Sequence, residues 1–211
     1  MPAHPAPPHV PGVRGGGAGP EPDASRRAGR RRRLSTRSAV GEPEFSETVF
    51  EGHLFRVDVE TWPGGRRRDI VHHVGACGAV VLIGEPGNEH ILLVRQLREA
   101  VGRVLVEIPA GVYDVPNEDP ETAIRREINE ETAYLATSVE PLGRILTTPG
   151  FSDEAIDLFL VRAEPDPSLT AEEGIETVTL HLDDALAAAL DGSLEDAKTV
   201  VALLLARERL R

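Results

Sequence analysis

From Phe45 onward, apolar and polar residues alternate with a period of two, which marks strands rather than helices. Thr48–Phe50 and Leu54–Thr61 predict two strands separated by Glu51-Gly52-His53. Arg68–Val74 predicts a third, beyond the turn Trp62-Pro63-Gly64-Gly65. The pattern then becomes almost wholly apolar. Cys77–Ile83 and Ile91–Arg95 read as central strands joined by Glu85-Pro86-Gly87-Asn88, and Val104–Ile108, Glu140–Thr147 and Ala155–Ala163 as further strands. A helical pattern begins at Pro120. Asp119 suits the N-cap, Pro120 the first helical position and Glu121 the positive helix end, while Ile124, Ile128 and Leu135 form an inward stripe. Leu182–Leu190 predicts a second helix, closed by Gly192. Ser193 is expected to cap a third, with Glu195 and Asp196 in its first turn and Arg207 and Arg209 near its end. These last two helices read as structural. Residues 1–43 are rich in Pro, Gly, Ala and Arg, lack apolar periodicity, and are expected to be disordered. The class is α/β.

Charge changes this picture by dividing the chain. Residues 1–40 hold eight Arg and two acids, whereas the remainder holds 15 basic and 33 acidic groups. So acidic a body argues against a nucleic-acid groove as the main site and suits the gathering of divalent metal. The run Arg30-Arg31-Arg32-Arg33 reads as a solvated tail, and no apolar segment follows it as twin-arginine export would need. Cys77 is the single cysteine, so no internal disulfide forms and a reducing cytoplasm is expected. No apolar run is long enough for a membrane span. His72 and His73, adjacent on opposite faces of a strand, cannot chelate one metal together and are expected to be structural.

The chemistry concentrates between Glu107 and Leu135. A short apolar strand turns at Pro109-Ala110-Gly111 and crosses a polar loop to the Pro120 helix. On that helix Glu127, Glu130 and Glu131 span roughly 100° of one face. Crowded carboxylates repel, and burial raises their pKa, so a cation among them is the economical solution. Hard oxygen ligands favour magnesium, with manganese as a substitute. The alternative is a solvated acidic face with Arg126 as a helix ion pair; the glycine turn and Glu118 favour the metal site.

This stretch resembles the Nudix box, G-x5-E-x7-R-E-U-x-E-E-x-G-U with U aliphatic. Glu118, seven residues, then Arg126-Glu127-Ile128-Asn129-Glu130-Glu131 match without a gap. Gly111 precedes Glu118 by six residues instead of five, Ala133 stands in place of the closing glycine, and Tyr134 replaces an aliphatic residue. An alanine at a helix end that needs positive φ is strained. Three further features resemble the ADP-ribose pyrophosphatase branch. Gln96-Leu97-Arg98 is similar to its Q-Y-R segment. Pro149 lies 16 residues past Ala133, and Gly150-Phe151-Ser152-Asp153-Glu154 looks like its base-bearing loop.

The resemblance implies an α/β/α sandwich, a mixed sheet flanked by helices with the box helix against it. Residues 76–211 would form this domain. The β-rich section 44–75 would build a dimer in which each partner contributes to the other's site. There Trp62 would either pack at its turn or stack on adenine. The implied activity is hydrolysis of a nucleoside diphosphate linked to another group, ADP-ribose giving AMP and ribose 5-phosphate. The alternatives are another sugar nucleotide, a dinucleoside polyphosphate or an oxidised nucleotide, or a non-catalytic module that binds ADP-ribose. By the same resemblance Glu127, Glu131 and the Ala110 carbonyl hold the metal, with Glu130 in support. Arg126 orients the carboxylates through Glu118. Glu154 is the base, Arg98 contacts phosphate or ribose, and Glu107 holds a ribose hydroxyl. Glu172, Glu173 and Glu176 read as a solvated acidic loop.

Overall fold

The computed structural model describes residues 41–211; the predicted tail and its arginine run lie outside the described residues, apart from 41–43, which adopt no regular structure. Two sheets follow. The first has three antiparallel strands in the order β1 (Phe45–Glu51), β2 (Phe55–Trp62), β3 (Arg66–His73). The turn between β2 and β3 falls at the predicted Pro63-Gly64-Gly65, where both glycines have positive φ. Trp62 closes β2, its indole N–H donating to Glu60 at 2.8 Å.

The second sheet has seven strands: β4 (Ala76–Ile83), β5 (His90–Arg98), β6 (Arg103–Glu107), β7 (Ala110–Val112), β8 (Tyr134–Leu146), β9 (Ala155–Pro165) and β10 (Glu176–His181). The main path runs β10-β5-β4-β9-β8, with β6 on β5 and β7 on β4. β4 and β9 are parallel and the other pairs antiparallel, so the sheet is mixed. Side-chain alternation along β4 feeds two cores. Cys77, Ala79 and Val81 pack with Ala123, Ile124 and Ile128 of α1 (Pro120–Thr132). Ala76, Val80 and Leu82 pack on the other face with Ala185, Leu186, Ala202 and Leu203 of α2 (Leu182–Asp191) and α3 (Ala197–Arg209). The result is the expected α/β/α sandwich. Among the described residues no helix is long and apolar enough to cross a membrane.

Four details differ from the sequence reading. Glu176 belongs to edge strand β10, opposite Arg95, rather than to an acidic loop; its alternating Thr177–Leu180 was overshadowed by charge. β8 begins at Tyr134, directly after the helix. Leu135 therefore lies on that strand, 49% exposed, outside the inward stripe of α1. The cap of α3 is Asp196, which accepts from Thr199 N, not Ser193; Glu195 precedes the helix and binds Arg103 instead.

α1 is capped as predicted, Asp119 accepting from the backbone of Glu121 and Thr122. It ends at Ala133 with φ 58 and ψ 31, the left-handed conformation that costs an L-residue about 1–2 kcal/mol. Ala133→Gly should therefore stabilise the protein by about 0.5–1 kcal/mol after allowance for the freer unfolded chain. Denaturant titration of the two proteins would measure it, and a loss of stability would disprove it.

Candidate active site

β7, entered through Ile108-Pro109, places Ala110 and Gly111 directly over α1. Ala110 N–H donates to Glu131 Oε2 at 3.0 Å. A Cβ built on Gly111 would lie 1.9 Å from the Glu127 carboxylate carbon, so only glycine permits this approach. The loop beyond turns through Val115–Glu118, with Pro116 second and Asn117 third at φ 63, and the longer spacing before Glu118 lies in this loop.

Arg126 binds four carboxylates. Its guanidinium grips Glu118 with two bonds of 3.1 and 3.0 Å, and lies 2.6 Å from Glu127, 3.0 Å from Glu130 and 3.4 Å from Asp114. Glu118 is its principal anchor and holds the guanidinium protonated far above its ordinary range. Asp114 was missed by sequence reading, because the loop that delivers it has no helical or strand period.

Arg126 does not reach Glu131 through these contacts. Burial pushes the Glu131 carboxyl up to about 7; the Ala110 N–H opposes the rise and nearby Glu127 adds to it. Burial also raises Glu127, against the pull of Arg126. One buried and one partly buried carboxylate that both ionise reluctantly are a donor set suited to a hard divalent cation, which would restore the ionised forms. Among the described residues no three acidic, histidine or cysteine side chains form a ready cage, and Arg126 contacts both Glu127 and Glu130.

Next to the turn lies a cavity of about 400 Å³ whose lining includes Arg98, Ala110, Gly111, Thr147, Glu154 and Lys198. Arg98 donates through Nε and Nη2 to Glu107 at 2.9 and 2.7 Å. Glu107 is 1% exposed and also binds Lys198, whose Nζ lies 3.1 Å from Asp196. Burial alone would raise Glu107, but the two cations hold its carboxyl below the ordinary range. Both Glu107 oxygens are thus engaged by protein cations. Lys198 is the one lysine against 22 arginines. The rarity was the available signal; the contact itself spans 91 positions.

Glu154 ends the loop 147–154 between β8 and β9. Thr147 Oγ1 donates to its Oε2 at 2.5 Å, and Thr147 N donates to its carbonyl at 3.2 Å. His73 of β3 lies on its other side. The structure thus gathers Arg126, Glu127, Glu130 and Glu131 around one guanidinium and one turn. It sets Arg98, Glu107 and Glu154 around the adjoining cavity.

Comparison with known proteins gives these positions a context. The NUDIX domain model matches residues 72–203. The chain belongs to the Nudix family. It is 33% identical over 166 residues to a methanol dehydrogenase activator of Bacillus methanolicus, covering 75% of this chain and 88% of that protein. It is 35% identical over 176 residues to the ADP-ribose pyrophosphatase of Bacillus subtilis, covering 81% and 91%. A GDP-mannose pyrophosphatase of Yersinia pestis is 34% identical over 172 residues, covering 75% and 85%. Among solved structures, one described as an ADP compounds hydrolase superposes with a TM-score of 0.63 at 21% identity, over 82% of this chain and 97% of that one, and shares the fold.

Nudix hydrolases generally use divalent metals. In this Nudix box, Gly111→Ala should push the Glu127 carboxylate aside, because the far end of a side chain yields before backbone does. Activity is expected to fall about 10–100-fold with little change in melting temperature. Steady-state rates beside a thermal melt would test this, and an unchanged rate would contradict it.

Proposed function

We propose that this Nudix hydrolase cleaves the diphosphate of ADP-ribose with water, giving AMP and ribose 5-phosphate. The observation that carries the reading is the cavity beside the Ala110-Gly111 turn. Arg98 and Lys198 form a cationic wall, Glu154 stands on a loop, and the partly buried Glu127 and buried Glu131 carboxylates lie beneath Ala110 and Gly111. A diphosphate is an anionic electrophile, and water is a poor nucleophile near neutral pH.

Glu127, Glu131 and the Ala110 carbonyl would hold a divalent cation, magnesium with manganese as substitute, which would neutralise diphosphate charge and lower the pKa of the attacking water. Glu130 supports that site, and Arg126 keeps Glu127 and Glu130 oriented while Glu118 anchors it. Glu154 accepts the proton as water attacks phosphorus. Arg98 and Lys198 meet the phosphate and ribose oxygens. Glu107, between both cations, orients them and faces a ribose hydroxyl only through that frame. Truncating Arg98 to Ala should raise KM by about 10-fold or more while kcat changes little, as expected for loss of a charge-assisted contact. An unchanged KM removes Arg98 from the substrate site.

A second reading, hydrolysis of a different nucleoside diphosphate sugar, is favoured by the GDP-mannose pyrophosphatase relative. ADP-ribose, UDP-glucose, GDP-mannose and diadenosine compounds, each incubated with magnesium and a coupled phosphatase, separate the readings by released phosphate. Fastest turnover of ADP-ribose supports the first, and preference for GDP-mannose replaces it. The enzyme is further proposed to be a cytoplasmic homodimer joined through the three-stranded sheet. The single buried cysteine and the exposed Phe45, Phe50 and Phe55 support this. A monomer in sedimentation at micromolar concentration would remove the dimer.

A further inference from the structure

We infer that His73 is a positioning residue that sets the orientation of the Glu154 carboxylate, making the N-terminal sheet part of the catalytic apparatus. The inference rests on the reading of Glu154 as base. β3 runs beside the loop 147–154 and is stitched to it. Val71 N–H donates to Phe151 O at 2.7 Å, and Val71 O accepts from Asp153 N–H at 3.1 Å, forming a parallel bridge between Val71 and Ser152. His73 N–H donates to Asp153 Oδ1 at 2.8 Å. His72 lies between two carboxylates, with Nδ1 2.7 Å from Asp153 and Nε2 3.3 Å from Asp58. The two histidines that alternate across a strand both serve one loop, because that loop runs alongside β3 from Val71 onward.

The His73 ring has a defined tautomer. Its Nδ1 accepts from Gly75 N–H at 3.0 Å, which uses that lone pair. In the neutral ring the proton therefore sits on Nε2, 3.8 Å from Glu154 Oε1. A donor at that atom cannot collect a proton from Glu154, so the ring is not a relay. It is a fixed dipole, only 14% exposed, facing one carboxylate oxygen while Thr147 holds the other. The separation is longer than a hydrogen bond, and a closure of about 1 Å would make one. Arg98 and Lys198 face the same cavity as Glu154. Without His73 the carboxylate keeps the Thr147 contact on Oε2, but Oε1 loses the group that faces it.

The test uses the full chain, magnesium, and ADP-ribose with GDP-mannose as second substrate. His73→Phe is expected to lower kcat about 10-fold with KM within about twofold, the signature of a misaimed group. His73→Gln, whose amide N–H can reach a similar position, should recover kcat to within about threefold of wild type. In a Glu154→Gln background, His73→Phe should cost nothing more, because no base is left to aim. Should His73→Phe not fold, His73→Ala against His73→Gln gives the same comparison. An equal loss in both backgrounds, a loss carried by KM, or no rescue by Gln overturns the inference. Wild-type kcat in His73→Phe with an inactive Glu154→Gln overturns it while sparing the base assignment. An active Glu154→Gln overturns the base assignment itself, and the inference with it.

Discussion

Glu131→Gln is expected to lower kcat by about 10² or more and, at the same time, to stabilise the metal-free protein above neutral pH. Both effects have one source. Glu131 is 5% exposed, and burial moves its carboxyl from an ordinary 4.5 up to about 7. The folded chain therefore binds that proton more tightly than the unfolded chain does. The stabilisation this brings is complete below about pH 4.5, is lost as pH rises to about 7, and stays lost above. Glutamine carries no charge to bury. Its advantage in the metal-free protein should be on the order of 1–3 kcal/mol at pH 8 and should vanish near pH 4.5. Magnesium should invert the order, because wild type gains the binding free energy and the variant loses a ligand. Denaturant curves at both pH values, with chelator and with magnesium, measure the stability half. An active Gln variant, within a few-fold of wild type, would remove Glu131 from the metal site.

What could be read along the chain and what could not divide by the range of the interactions involved. Asp119, Pro120 and the Glu127–Glu131 spacing act within one helix, whose fixed period places the carboxylates before any fold is known. The two-sided core of Cys77–Ile83 was likewise written in its unbroken apolar run. Lys198 shares Glu107 with Arg98 across 91 positions, and His72 meets Asp153 across 81. Neither contact leaves a local period, so a helix and a strand with no visible chemistry prove to border the site. The cap of α3 shows a smaller limit. Ser193 and Asp196 are both good caps, and Asp196, which caps the helix, also lies 3.1 Å from Lys198. Gly111 was legible as the glycine of the turn before the box helix, but that it makes room for the Glu127 carboxylate needed the packed structure.

Glu154→Gln is expected to have the largest effect, a loss of about 10²–10⁴ in kcat with magnesium binding retained. The substitution is nearly isosteric. Thr147 Oγ1 can still donate to the amide oxygen, and Thr147 N still closes the loop on the Glu154 carbonyl. The backbone N–H still donates to Ser152 Oγ, 3.1 Å away. The Val71 bridge involves no Glu154 side-chain atom, so the loop should keep its course. What disappears is a basic oxygen that can take the proton as water attacks phosphorus. A ligand and a base are separable here, because Glu154 lies on a loop and Glu127 and Glu131 on α1. The variant should therefore keep the full magnesium-dependent rise in stability, whereas Glu131→Gln should lose most of it. KM should stay within a few-fold, since Arg98 and Lys198 still line the cavity. Single-turnover rates and magnesium-dependent melts on the two variants distinguish the roles. If Glu154→Gln turns over within a few-fold of wild type, the base is another group. If instead it loses the magnesium response, Glu154 is a ligand and the proton must leave by a different path.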